Sequence, residues 1–244
     1  MSITDGAAMQ RWVAAGVRHE VLLRALPTLR HDMAAPVSIL RMSTLLLRHQ
    51  LAAIPIDAAA CGQRVAVLDQ QMGALVDGIR LLRGWEQGGE AGCDSVRDVV
   101  TLQALIARCV SLLRPVFDLR GISIDLDPGL EEPPGPDNAP HASSWPNAFA
   151  LRYLLLATLC HLHDAHSDAG TVHIAQHGAD TLDLRVTPRA ADARPPMAGL
   201  IPVEGHIQID AAALQCLADD LGYAVIFTHD GLRLSLGAVR QVAN

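Results

Sequence analysis

Two short stretches carry side chains whose types and spacing could do chemistry. The first is Leu29-Arg30-His31-Asp32-Met33-Ala34-Ala35-Pro36, where an imidazole and a carboxylate stand side by side. A free imidazole titrates near pH ~6.5, so its neutral, nucleophilic form is plentiful at neutral pH. An adjacent carboxylate can hold the ring and take up a displaced proton. Pro36 offers no N–H to the carbonyl of Asp32 and should bend the helix there. A proline in a plain helix interior costs about 3 kcal/mol, so its place beside His31 invites a functional reason. The second stretch is Cys160-His161-Leu162-His163-Asp164-Ala165-His166. On a helix it brings His161 to Asp164, or His163 to His166, at i,i+3. A zinc site would need further ligands, with His173 and His177 the nearest, and no zinc spacing fits. A solvated helix end is the expectation there. Ser38, Ser43 and Thr44 follow His31 on the same helix, but no triad geometry follows from their spacing.

The elements that must position these groups are legible in the apolar pattern. Leu22, Leu26, Leu29, Met33, Leu40 and Leu47 alternate four and three apart where the seam is unbroken, the a/d seam of a coiled-coil-like bundle. Counted from that seam, Arg30 falls at e, His31 at the outermost f position and Asp32 at g. The spacing predicts a helix from about Ala8 to Gln50 and a turn over Leu51–Pro55. Asp57 then caps or charges the start of a second helix of about thirty residues. The second seam is Cys61, Val65, Leu68, Met72, Leu75, Ile79 and Leu82. Two such helices expose an apolar stripe that one hairpin cannot bury, and a dimeric four-helix bundle can. No later helix carries a comparable seam for an intramolecular bundle.

Residues 84–92 (GWEQGGEAG) form the best boundary, dividing a helical hairpin over 1–88 from a second domain over 95–244. Beyond it the pattern predicts a helix over Leu102–Leu119, a strand over Ile122–Leu126 and an irregular proline-rich loop over Pro128–Pro146. A helix over Asn147–His166 follows, with strands at Thr171–Gln176 and Thr181–Val186 and a stretch without periodicity over 187–206. A helix over Asp210–Leu221 and a hairpin of Ala224–Thr228 with Leu232–Leu236 close the chain. Helices preceding pairs of antiparallel strands indicate an α+β fold, here a sandwich. Asp219 and Asp220 read as the exposed end of a helix.

Bulk properties narrow the function classes. Apolar residues make up 50% and aromatics 3%, with mean hydropathy +0.23, so the core is built from Ala, Leu and Val. The longest apolar runs are too short to span a bilayer, and no basic-then-apolar leader opens the chain; a soluble, cytoplasmic protein without a membrane sensor is expected. Five scattered cysteines include no CxxC pair, so buried thiols are expected rather than zinc or disulfides. All 19 basic residues are arginine, which excludes a P-loop lysine, a Schiff-base lysine and the strand lysine of protein kinases. The net charge of −7 is concentrated after residue 90, without a basic cluster, and argues against nucleic-acid binding.

A helical hairpin bearing His-Asp-x-x-x-Pro, followed by an α/β sandwich, resembles the two-component sensor histidine kinases over about residues 15–240. The resemblance makes the hairpin their dimerisation and phosphotransfer domain, with His31 as phosphoacceptor, Asp32 orienting the ring and taking its proton, and Arg30 either steadying a phosphoryl group or merely lying on the surface. It makes the sandwich their Bergerat-type ATP-binding domain. Three departures follow. Ala35 stands where bifunctional kinases carry Thr or Asn for hydrolysis. Ala157 and His161 stand where a helix should carry metal-holding asparagines; the chain's three asparagines, Asn138, Asn147 and Asn244, lie outside that helix. No DxGxG loop occurs, residues 187–194 reading TPRAADAR, and the glycine-rich lid is missing.

A degenerate sandwich on an intact hairpin resembles the dimeric histidine phosphotransferases of ChpT type. That resemblance implies a relay through His31 between the aspartates of response-regulator receiver domains. The receiver would supply Mg²⁺, and the chain itself would need no ATP, cofactor or metal. Its expected partners are receiver domains and a second copy of itself, with neither nucleic acid nor membrane. Two readings stay open beside it: a non-catalytic adaptor that binds a receiver or a sensor kinase, and a divergent ATP-dependent kinase. The His163-Asp164 pair would also suit an HD-type metal phosphohydrolase, but that fold is all-helical, whereas strands surround this pair.

Overall fold

The computed structural model describes residues 3–86, 101–131, 148–178, 180–190 and 205–237. The expected boundary glycines from residue 87 on, most of the proline-rich loop, Cys93 and all three asparagines lie outside the described residues. So do residues 191–204, which include the end of the segment where DxGxG would stand. The chain groups into two compact units, Leu26–Gly92 and Met1–Ala25 with Cys93–Asn244.

The first unit is the helical hairpin. Helix α1 (Ile3–Ala52) runs unbroken through Pro27 and Pro36, and α2 (Ala58–Glu86) follows a short turn. Ser38 and Thr44 donate their hydroxyls back to the carbonyls of Ala34 and Leu40, which keeps those polar groups local to the helix. Asp57 caps α2 as expected, its carboxylate accepting the backbone N–H of Ala60 at 3.0 Å. On α1, Leu29, Pro36 and Ser43 are buried and Met33, Leu40 and Leu47 half-buried. The two helices come close at Gly78, where an added Cβ would stand 3.3 Å from the Met33 side chain. The seam of α2 is divided: Cys61, Leu68, Leu75 and Leu82 are half-buried, while Val65, Met72 and Ile79 are exposed.

The second unit is an α+β sandwich that also takes in the part of α1 up to Ala25. Its described elements are α3 (Leu102–Leu119), β1 (Ser123–Leu126), α4 (Pro128–Glu131), α5 (Ala148–Ala165), β2 (Ala169–His177), β3 (Thr181–Pro188), α6 (Ala211–Leu221), β4 (Ala224–Thr228) and β5 (Gly231–Ser235). The helix starts are chemically marked: Thr101 caps α3 and Asp210 caps α6 through their side-chain oxygens. Gly222 ends α6 in the left-handed conformation that only glycine adopts without penalty. The strands form one mixed sheet in the order β1-β2-β3-β5-β4. β1 pairs parallel to β2 and the other neighbours pair antiparallel. Gly231 allows β5 to approach β3, since a Cβ there would fall 2.0 Å from the carbonyl oxygen of Leu184.

Alternation along the strands sends Val172, Ile174, Leu184, Val186, Leu232 and Leu234 into the core. The opposite face is polar. Asp183 is ringed there by Arg233 at 2.6 Å, Arg185 at 3.0 Å and His177 at 3.3 Å. Helix α5 is buried almost all round, from Ala150 to His163, the pattern of a helix covered on every side. The first turns of α1 belong to this unit, with Ala14, Val17, Val21 and Ala25 all buried.

Candidate functional site

His31 stands on α1 between the buried Leu29 and Pro36, turned away from the side of the helix that packs. Its side chain is 85% exposed and that of Asp32 is 66% exposed. Their nearest approach is His31 Nδ1 to Asp32 Oδ1 at 3.8 Å, within ion-pair range but too long for a hydrogen bond. The ring is therefore open to solvent, with Nδ1 its atom nearest the carboxylate. Arg30 lines an open groove of about 530 Å³ together with Met33, Ala34, Val37, Ser38 and Leu75. The structure thus brings His31 and Asp32 together loosely and sets Arg30 on the wall of an apolar groove one residue away.

The second histidine stretch lies in a different environment. His161 and His163 are buried on α5, and His161 Nδ1 bonds the carbonyl oxygen of Ile209 at 2.7 Å. The expected solvated helix end is corrected by this: His161 and His163 are buried there and Asp164 is half-buried, because this part of α5 is covered by other parts of the fold. His163 Nδ1 lies 3.1 Å from Asp164 Oδ1, and its ring packs on Phe117 with centroids 5.3 Å apart. Among the described residues no group of three or more His, Cys, Asp or Glu is placed to hold a metal ion. Ala157 and His161, aligned with the metal-holding asparagines of the kinases, do not fit a nucleotide–metal complex: alanine has no ligating atom, and the Nδ1 of His161 is spent on a backbone carbonyl.

A cluster that the sequence pattern did not single out occupies this end of α5. Arg24 donates to both carboxylate oxygens of Asp164 at 2.9 Å, to Glu20 at 2.9 Å and to the carbonyl of Ile207 at 2.8 Å. Asp164 also accepts the backbone N–H of Ile209 at 3.0 Å, and Glu20 is bonded by His206 at 2.8 Å. Burial alone would raise the carboxyl of Asp164, but the bonds from His163, Arg24 and the Ile209 backbone hold it well below the usual carboxylate range. Glu20 is lowered in the same way: burial opposes, and Arg24, the Ile207 backbone and His206 prevail. Burial by itself would lower Arg24, and the bonds to Asp164 and Glu20 raise it instead. Burial also pushes the thiols of Cys109 and Cys160 up to about 12, which keeps them protonated and inert at neutral pH. Asp220, read from sequence as a bare helix end, is paired with Arg18. The one sequence signal for this cluster was Glu20 and Arg24 at i,i+4; their partners lie about 140 residues or more further along the chain.

No family model matches this chain, and no curated protein does. Among solved structures it is similar to the histidine kinase AdeS of Acinetobacter baumannii, at 12% sequence identity over 85% of this chain and 98% of that one, with a TM-score of 0.32. Among the described residues no helix is long and apolar enough to cross a membrane.

Proposed function

We propose that this chain is a histidine phosphotransferase that relays phosphoryl groups between receiver aspartates through His31, without taking them from ATP. The observation that carries the reading is the exposure of His31 on a helix whose opposite side is packed, next to a carboxylate and an apolar groove. Such an imidazole can reach a reactive centre held by another protein, and a buried one cannot. In the forward step Nε2 attacks the phosphorus of a receiver's aspartyl phosphate. The P–N bond forms, and the P–O bond breaks with its electron pair leaving on the aspartate. The Nδ1 proton passes toward Asp32 or to water. The reverse step hands the group to a second receiver. Mg²⁺ belongs to the receiver in this reading, and the chain supplies the ring, the carboxylate and the docking surface.

A second copy is the proposed partner of the hairpin. Val65, Met72, Val76 and Ile79 recur at helical spacing on one exposed face of α2, and Met33, Val37 and Leu75 line the groove beside His31. A second hairpin would cover this stripe as a four-helix bundle. Met72→Asp is expected to turn a dimer into a monomer in sedimentation experiments; a wild-type protein that sediments as a monomer at micromolar concentration overturns this part.

The decisive test is incubation with phosphorylated receiver domains from the source organism. Wild type should become labelled on histidine and His31→Ala should not. If wild type stays unlabelled with every receiver, the relay is wrong. The loose 3.8 Å separation of His31 and Asp32 favours one competing reading, an adaptor that binds a receiver without chemistry. Receiver binding and cellular output that survive His31→Ala would establish that reading instead.

A further inference from the structure

We propose that residues 14–25 of α1 are a releasable strut of the sandwich, fastened by the ionic cluster of Glu20, Arg24, Asp164 and His206 rather than by apolar packing. The apolar part of this contact is slight. Ala14, Val17, Val21 and Ala25 are buried and Val13 and Leu22 half-buried, and alanine and valine remove less surface from water than the large side chains of the sandwich core. The polar part is dense and convergent. Arg24 holds Asp164 with a two-pronged pair, reaches Glu20 within its own helix, and bonds the Ile207 carbonyl. His206 closes on Glu20, and Arg18 pairs with Asp220 at the end of α6. Three separate pieces of the sandwich are thereby tied to about two turns of one helix: the end of α5, residues 206–209 and the end of α6.

Ionic contacts of this kind differ from apolar ones in how they fail. A forked guanidinium–carboxylate pair is made in one geometry and gains little from a partial approach. A buried pair that loses one partner strands the other charge, whereas apolar groups of similar volume would often hold as well or better. A helix held this way has two discrete states, docked with every charge paired or undocked with every charge hydrated. The strut belongs to the same helix as His31, with Arg24 seven residues upstream of it. Docking therefore decides whether residues 14–25 stay packed on the sandwich. A partner with different affinity for the two states would shift their balance. The inference does not depend on phosphotransfer and stands on the contact alone.

Hydrogen exchange on the full chain tests it, with wild type, Arg24→Met, Arg18→Glu and the double variant Arg18→Glu/Asp220→Arg. Arg24→Met should speed amide exchange over residues 14–25 and the last turn of α5 by about tenfold or more, with β2, β3 and residues 36–50 left at wild-type rates. Arg18→Glu should produce a smaller rise in the same places, and Asp220→Arg should reverse it. Unchanged exchange over residues 14–25 overturns the proposal, and so does a rise spread evenly through the sheet, because the cluster would then be ordinary core structure. If Arg24→Met fails to fold, the Arg18 series decides alone by the same two criteria. Labelling of His31 on the same samples reports separately on the relay.

Discussion

Two histidine–aspartate neighbours in this chain have opposite fates. His31 and Asp32 lie in the open at 3.8 Å, each with most of its surface in water. His163 and Asp164 lie 3.1 Å apart with 9% of either side chain exposed, and Arg24 and a backbone N–H complete the coordination of the carboxylate. The same dipeptide is thus open to solvent in one place and a fastener in the other. The difference is in what surrounds it: solvent leaves both side chains open, whereas the buried network commits His163 Nδ1 and both oxygens of Asp164. The buried pair is therefore the weaker candidate for chemistry here, and the exposed one the stronger.

Substitutions at both pairs break this comparison if it is wrong. His31→Ala should abolish histidine labelling by phosphorylated receivers while leaving the thermal unfolding midpoint near wild type. Asp32→Asn should slow transfer by about a hundredfold or more in rapid-quench measurements, the range of a positioned proton acceptor. No effect would mean that water takes the proton at this separation. Asp164→Ala should do the reverse. It takes from Arg24 its two-pronged partner, leaving only Glu20 and the Ile207 carbonyl, and should cost about 3 kcal/mol of unfolding free energy in denaturant titrations, with His31 still labelled in the folded fraction.

Acid separates the two pairs without mutation. The carboxyls of Asp164 and Glu20 are lowered in the folded state. They contribute stability above the unfolded carboxylate range near pH ~4, and lose it as pH falls through their lowered folded values. Thermal melts should therefore drop steeply below about pH 4 in wild type, and less steeply in a folded Asp164→Asn protein. Equal slopes would remove Asp164 from the acid response. The smallest effect compares the helix starts of the two regions. Asp57→Ala and Asp210→Ala each remove a cap and should cost about 1 kcal/mol in equilibrium unfolding, the first registering in the hairpin and the second in the sandwich.

Much of the architecture was legible because its causes are local. The four-three seams marked both helices of the hairpin and turned His31 outward. The helices expected over Leu102–Leu119 and Asp210–Leu221 lie within a residue of the observed ones, whose ends Thr101, Asp210 and Gly222 cap. Alternation marked the strands, although Ala169–His177 and Thr181–Pro188 extend beyond the spans the pattern gave. The α+β class followed from the order of these elements. Asp57, on the same logic, caps the helix it was assigned to.

What the sequence by itself determined about this protein is what period and composition can encode: helical seams, strand alternation, caps, and the side of α1 on which His31 stands. Only the tertiary structure decided which polar groups meet. Helical spacing could not reveal that the stretch from His161 to Asp164 turns inward, because α5 is covered on all sides by other parts of the fold. It could not assign the first turns of α1 to the sandwich either, since Arg24 and Asp164 are neighbours only after folding. Periodicity records what each segment prefers to bury, but the pairing of charges distant in sequence depends on the chain's path in space.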